Sequence, residues 1–432
     1  LEAAKDNDAD MVGLSGLITP SLDEMVTVAE EMERAELKIP LLIGGATTSR
    51  VHTALRIEQA YSGPVIHVLD ASRAVGVAST LVSQTQRDPF VEKTASEYED
   101  IRTKRGGKGG SRLVSIEDAR ANGRMVDFTA KPPPPERPGL HVYHEWPLDE
   151  LRDYIDWTPF FRAWELAGTY PRILEDETVG ESARELFEDA QAMLDRIVDE
   201  GWLKPRGVAG LWECRREGDD ILVKCSREGG SPGPDSMGER SQASGGTGLL
   251  PSQEHGWIRL PMLRQQIAKR KGRANMCLAD FIDPEGDWIG GFAVASGHGA
   301  AEHLERFKRD NDDYSDILFK ALADRLAEAF AERMHEHVRQ DLWGYGAEED
   351  LSMENLIREK YDGIRPAPGY PACPDHTLKP LLFELLGGGS GHNGPAGIEL
   401  TESMAMLPAA AVSGFYFGHP ESSYFGVATI GE

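Results

Sequence analysis

Met11-Val-Gly-Leu-Ser-Gly-Leu-Ile18, followed by Thr19-Pro-Ser21 and a helical pattern, decides the fold of the N-terminal part. The apolar run is too short for a helix of its own and reads as a buried strand. Ser21 is an N-cap, with Asp23 and Glu24 in the first turn. Met25, Val28, Ala29 and Met32 then share one helix face, up to about Leu37. Outward from there, Ile39-Pro-Leu-Leu-Ile43 is the next strand and ends in Gly44-Gly45. A helix near 50–61, the strand Val65-Ile-His-Val-Leu69 and a helix from Ser72 to about Val82 complete the run. This alternation predicts right-handed crossovers and a parallel sheet. Three units are too few for a complete doubly wound domain, and the chain opens at Leu1 in what reads as a helix end. The reading therefore expects a truncated start.

Residues 84–139 read as a connector: a charged helical piece (91–105), Gly106-Gly-Lys-Gly-Gly110, a short helix near 116–122, and Lys131-Pro-Pro-Pro-Pro-Glu-Arg-Pro-Gly139. Four consecutive prolines favour an extended, semi-rigid spacer, and the domain boundary is placed there. Beyond 140, helical stretches (148–156, 180–200, 301–308, 314–343) mix with strand-like ones (207–225, 276–282, 288–296, 410–430). Gly218-Asp-Asp220 between apolar runs is a hairpin signal. Residues 226–256 are polar and of low complexity and read as a disordered insertion. The expected fold class is α/β, a partial Rossmann-like parallel sheet (1–83), followed by an α+β domain with antiparallel sheet and clustered helices (140–432).

The 432 residues carry a formal net charge of −26, which disfavours nucleic acid and anionic lipid as partners. No apolar run reaches membrane-spanning length, and no signal peptide is present. The four cysteines contain no Cys-x-x-Cys, so reduced thiols and a cytoplasmic location are expected.

Open α/β sheets bind ligands at the carboxyl ends of their strands. Here those ends carry Ser15 with Thr19, Gly44-Gly45-Ala46-Thr47-Thr48, and Asp70-Ala71-Ser72. Bare backbone admits a bulky ligand, but a glycine pair also makes a tight turn, and spacing leaves both readings open. In the C-terminal part, Arg365-Pro-Ala-Pro-Gly-Tyr-Pro-Ala-Cys-Pro-Asp-His376 is too proline-rich for a helix or central strand. An arginine on so rigid a loop suits a bidentate grip on a carboxylate; a structural salt bridge is the alternative. Glu328, Glu332 and Glu336 on the long helix 316–343 read as a solvated face. His335 and His337 on the same helix, two apart, face different ways and make a poor metal site.

Gly13-Leu-Ser-Gly-Leu-Ile-Thr-Pro-Ser-Leu-Asp-Glu-Met25 and Leu41-Leu-Ile-Gly-Gly-Ala-Thr-Thr-Ser49 resemble the cobalamin domain of cobalamin-dependent methionine synthases. The Arg365 loop, Asp153-Tyr-Ile-Asp-Trp-Thr-Pro-Phe-Phe161, Trp164-Glu-Leu-Ala-Gly-Thr-Tyr-Pro-Arg-Ile-Leu174 and Gly414-Phe-Tyr-Phe-Gly-His-Pro-Glu-Ser-Ser-Tyr-Phe-Gly426 resemble the reactivation domain of the same family. The resemblance implies that Ser15, Thr19, Gly44, Gly45 and Ala71 contact cobalamin (as methylcobalamin in the resting cycle). It also implies that Asp156, Arg365, Ala367, Tyr424 and Phe425 bind S-adenosylmethionine. Arg365 would pair the ligand carboxylate, Asp156 the ammonium or else the ribose hydroxyls, and aromatic rings would attract the sulfonium by about 0.5–2 kcal/mol. Tyr370 and His376 would face the corrin or simply pack the loop. No general base is needed, because the cofactor supplies the nucleophile. Catalytic residues are thus not expected in this chain.

The family ligates cobalt through the histidine of an Asp-x-His-x-x-Gly motif, and none of the twelve histidines has an aspartate two residues before it. No metal ligand is therefore expected here. The resemblance also places zinc in a homocysteine module, and methyltetrahydrofolate in another, neither matched in this chain. What it implies is a methyltransferase fragment, inactive alone, for reductive methylation of cob(II)alamin with electrons from a flavodoxin-type donor. The rival is a non-catalytic module that binds or senses cobalamin or S-adenosylmethionine. A generic nucleotide-binding protein finds no support, since the turns of 10–83 carry neither Gly-x-Gly-x-x-Gly nor a P-loop.

Overall fold

Short β-branched and aliphatic runs separated by helices pair as strands in the N-terminal part of the chain. The structure, a computed structural model, describes residues 4, 5, 7, 9–16, 21–45, 47–69, 71–83, 85–106, 113–225, 256–387, 394–427 and 430. The chain divides into two compact units, 1–112 and 113–432.

In the first unit, β1 (Val12–Ser15), β2 (Leu41–Gly44) and β3 (Val65–His67) form a parallel sheet in that order. Val12 pairs with Leu41, and Leu41 with Val65. Leu41 and Ile43 on the central strand are wholly buried, as are Ala29 and Met32 of α1 (Ser21–Arg34). Each large apolar side chain so covered contributes roughly 1.5–3 kcal/mol. The helix expected over 50–61 is irregular: one α turn capped by Ser49, a π turn at Thr53–Ile57 and a 3-10 turn at Glu58–Ala60. The Thr53 hydroxyl donates to the Ser49 carbonyl (3.0 Å) and competes with the regular ladder there. After α2 (Ala71–Val82) comes α3 (Arg87–Gly106). Residues 87–106 belong to this unit. Tyr98 is buried and its hydroxyl accepts from the His67 backbone N–H at 2.8 Å, while Arg102 pairs with Glu58 and Arg50 with Glu97. Thr94 and Tyr98, one turn apart, make the packed face. Two residues in a charged sequence are a faint signal.

The second unit begins with α4 (Ile116–Ala121) and the proline run, which is tied down by Trp343 Nε1 to the Pro133 carbonyl (3.0 Å) and Lys131 to Asp283 (2.5 Å). Its sheet is antiparallel. β4 (Gly139–Tyr143) pairs with β5 (Arg206–Glu217), which pairs with β6 (Asp220–Lys224) in the hairpin read from Gly218-Asp-Asp220. β7 (Trp257–Pro261) adds to β6, while β8 (Asp287–Ala295) runs between β5 and the last strand, 411–416. Along β8, Phe292 and Val294 enter one core and Ala293 and Ala295 the other, so the sheet is covered on both faces. The first core holds α5 (Leu148–Arg152), α6 (Trp157–Ala163), α7 (Gly180–Asp199) and the long α9 (Asp313–His337), which follows α8 (Ala300–Asp310). The second holds α11 (Leu378–Leu385), which follows α10 (Met353–Ile357). The short β9 (Glu399–Leu400) and β10 (Met406–Leu407) pair with each other, and β11 spans Ala411–Tyr416.

Residues 276–282, expected as a strand, instead form a buried 3-10 turn at Leu278–Phe281. Asp280 there accepts from the Cys277 N–H (3.0 Å) and from Arg264 Nη1 and Nη2 (2.9 and 2.6 Å), and that polar anchor overrides the apolar pattern. β4, β7, β9 and β10 lie outside the strand-like stretches expected, and of the described residues in 410–430 only Ala411–Tyr416 is a strand of the sheet. The expected insertion 226–256 lies, except for Gly256, outside the described residues.

Candidate functional site

Proline keeps residues 365–376 out of regular structure, and local bonds make them one compact turn. Gly369 N–H donates to the Cys373 carbonyl (2.8 Å) and Cys373 N–H to that of Tyr370 (2.9 Å). Gly369 has φ +102°, and a Cβ there would overlap the His376 ring. The loop is moored to the sheet edge: Phe415 N–H donates to the Pro366 carbonyl (2.9 Å), and Ile364 and Phe417 exchange both bonds (2.9 and 3.0 Å). Gly414 makes this possible, since a Cβ would press on the Pro366 carbonyl and Phe292. The mooring sets Arg365 against α9.

A cavity of about 470 Å³ opens beside it. Its wall includes Arg365, Ala367, Tyr370, Tyr424 and Phe425, joined by Phe292 of β8, Glu328 of α9, Glu359 and Val412 of β11. Arg365 Nη2 lies 2.7 Å from Glu332 Oε2, and Nη1 donates to the Tyr361 hydroxyl at 2.6 Å. The Arg365 backbone N–H donates to the Tyr424 hydroxyl (3.0 Å). Burial works against the Arg365 charge, but Glu332, Tyr361 and Tyr424 more than offset it and hold the guanidinium ionised. Burial raises the Glu359 carboxyl above the ordinary range, Arg365 opposing and Glu332 adding to the effect. Tyr370 is exposed at the rim, its phenol raised first by Glu328 and then by burial. His376, half-buried behind Gly369, is lowered by burial and by Lys379 and is not part of this wall.

Four of the five residues expected to meet S-adenosylmethionine thus share one cavity; Asp156 does not. Its Oδ1 caps α6 by accepting from the Thr158 N–H (3.0 Å), and it borders a second cavity of about 780 Å³ with Arg152, Thr169 and Arg172. Glu354, Ile357 and Arg358 line that second cavity and Glu359 the first, so one short segment borders both.

The expectation that Glu328, Glu332 and Glu336 form a solvated face is corrected. Glu332 and Glu336 are buried, Glu332 on Arg365 and Glu336 on Tyr154. From residue 325 onward no residue of α9 is exposed, and its acidic stripe there is covered by segments distant in sequence. Glu328, Glu332, Glu359 and Tyr361 are the site residues that sequence reasoning missed. The i, i+4, i+8 spacing of glutamates was visible, but not that side chains 25 or more residues away would close over it. His335 is wholly buried, stacked on Tyr416 (ring centroids 4.9 Å apart), and His337 bonds the Tyr143 hydroxyl (2.7 Å) and Asp341 (2.8 Å). Among the described residues no cluster of His, Cys, Asp or Glu could hold a metal ion, and no helix is long and apolar enough to cross a membrane.

In the first unit, Ser15 pairs with Gly44 at the carboxyl ends of β1 and β2, and Ala71 opens α2. Thr19 lies outside the described residues. The two glycines differ. Gly45 has φ +104°, and a Cβ would overlap the Gly16 backbone, so the turn itself demands it. At Gly44 a Cβ would meet only the Val68 carbonyl, at an ordinary 3.5 Å. Its bareness is not required by the fold and leaves backbone open to a flat, bulky ligand such as a corrin, which these residues fit.

A family model described as the activation domain of vitamin B12 dependent methionine synthase matches residues 147–432. Among solved structures, a crystal structure of the MetH reactivation domain bound to AdoHcy is similar, with a TM-score of 0.63 and 47% sequence identity. The match covers 74% of this chain and 90% of that one.

Proposed function

Because this chain belongs to the family of the activation domain of vitamin B12 dependent methionine synthase, we propose that it binds S-adenosylmethionine in the Arg365 cavity and serves the reductive methylation of the synthase's cobalamin. One observation carries the reading: Arg365 and Ala367, far in sequence from Tyr424 and Phe425, meet them on one cavity wall with Glu328 and Glu359. That wall offers one cation for a carboxylate, two carboxylates for an ammonium and a sulfonium, and aromatic faces for the sulfonium and the methylene chain. The ammonium falls to Glu328 and Glu359, and Asp156 would meet the ribose hydroxyls where the ligand extends past the 354–359 segment that borders both cavities. That the similar crystal structure holds AdoHcy supports the same ligand class here.

Cobalamin is assigned to the first unit, at Ser15, Thr19, Gly44, Gly45 and Ala71, and when bound it supplies the nucleophile for the methyl group. The division into a cobalamin part, within 1–112, and an S-adenosylmethionine part, within 113–432, belongs to the same proposal, with the residues expected as a connector shared between the two units. So does a one-electron donor of flavodoxin type, and so do roles for Tyr370 and His376 toward the corrin. Calorimetric titration of the chain with S-adenosylmethionine tests the reading. Arg365→Ala leaves the ligand carboxylate without its charge-assisted contact, at about 1.5–3 kcal/mol. Unchanged affinity would remove Arg365 from the site.

A further inference from the structure

The guanidinium of Arg365 is held from behind by groups that do not line the cavity. Glu332 takes Nη2 at 2.7 Å through Oε2, and its other oxygen is buried with no partner among the described residues. The Tyr361 hydroxyl takes Nη1 at 2.6 Å. Tyr361 is fixed in turn: the Arg339 guanidinium lies 3.8 Å from its ring centroid, and His335 meets the ring edge-on at 5.0 Å. Arg339 is itself anchored on Glu349 (3.0 Å) and is wholly buried. Glu332, His335 and Arg339 occupy successive turns of one helical stretch, which continues from α9 through the π turn Val338–Leu342, so this brace is set by a rigid element. An arginine has five N–H donors in a planar fork. The two braces take one each, from the two terminal nitrogens, and so dictate the plane in which the remaining donors are presented.

We propose that Glu332 and Tyr361 are positioning residues that aim Arg365, and thereby make the cavity selective for ligands bearing a carboxylate. The inference rests on the reading of Arg365 as the carboxylate partner. A guanidinium free to rotate would still attract an anion, but would lose the paired geometry that distinguishes a carboxylate from other groups. Burial and the charges of Arg339 and Arg365 lower the His335 pKa well below its ordinary value, so the imidazole adds no third positive charge beside the fork.

Calorimetry on the full chain, with S-adenosylmethionine and with its decarboxylated analogue, tests this. Glu332→Gln is expected to weaken S-adenosylmethionine roughly ten-fold while the analogue changes by less than about two-fold, collapsing the preference between them. Tyr361→Phe shifts the same ratio by about three-fold, and it carries the test if Glu332→Gln does not fold. Equal weakening of both ligands would mean a merely structural role, and no weakening of either would mean none; each overturns the proposal. Arg365→Ala separates the two levels. If it leaves the preference intact, the carboxylate reading fails and the positioning roles fall with it. If it erases the preference while Glu332→Gln and Tyr361→Phe do not, only the positioning roles are overturned.

Discussion

The strand-end site of the first unit and the Arg365 cavity of the second are built by opposite means. At the strand ends, Ser15, Gly44 and Gly45 are brought together by two adjacent parallel strands and the turns that follow them. Little more than backbone is needed. The Arg365 cavity draws on β8, α9, β11, the proline loop and the 424–425 segment, and its working groups are charged side chains brought together by long-range packing. A site of the first kind is vulnerable at one or two backbone positions. A site of the second kind depends on ion pairs deep in its scaffold.

The largest expected effect tests that dependence at a distance from the cavity. Arg264 is buried on Asp219 and Asp280 (2.7 and 2.6 Å). Arg264→Ala removes the buried cation that both carboxylates share, leaving Asp219 on the half-exposed Arg120 (2.8 Å) and Asp280 with Arg216 at 3.6 Å, at about 3 kcal/mol. All eight tryptophans lie beyond residue 112, so the denaturation midpoint read by tryptophan fluorescence reports the second unit alone. A loss below about 1 kcal/mol would show that this scaffold tolerates unpaired charge and would weaken the contrast.

Next comes the glycine pair. Gly45→Ala forces a side chain into a left-handed backbone position against Gly16, at about 2–3 kcal/mol. Gly44→Ala should stay within about 0.5 kcal/mol and act instead on cobalamin, weakening it in absorbance titrations. Hydrogen exchange of residues 12–15, 41–44 and 65–67 reads the stability of this unit. Equal costs at the two positions would mean that both glycines serve only the turn.

The smallest effect depends on pH. His335 is neutral in the fold because burial and two neighbouring arginines lower its pKa well below the ordinary value of 6.5. Above that value the folded and unfolded states are alike. Below it the unfolded chain binds the proton first, so stability falls with pH, with a slope limited to about 1.4 kcal/mol per pH unit. His335→Gln removes that contribution, and its stability curve between pH 6.5 and 5 should be flatter than the wild type's. Parallel curves would show that His335 is protonated in the folded state.

How much was legible follows the same divide. The parallel sheet, the hairpin at Gly218-Asp-Asp220 and the strand-end residues come from periodicity and turn chemistry within short windows. The proline loop declared itself rigid, and Arg365 stood out on it. The helix over 87–106 packs by two residues, too few to stand out, and 276–282 reads as strand because its apolar run conceals the role of Asp280. Asp156 sits in an aromatic segment like a ligand-binding residue, and the structure adds that it caps α6 and borders a second cavity.

By itself the sequence determined the three parallel strands and the β5–β6 hairpin, which loop cannot be regular, and where bare backbone or a lone arginine is offered, because each depends on neighbours within a few bonds. Only the tertiary structure decided that Glu332 is a buried counter-ion rather than a solvated one, that Arg365 donates to the Tyr361 hydroxyl, and that Asp156 borders a different cavity. Burial and pairing of charge depend on segments tens to hundreds of residues apart. Moving a carboxylate from water into the interior changes its energetics entirely unless a partner comes with it.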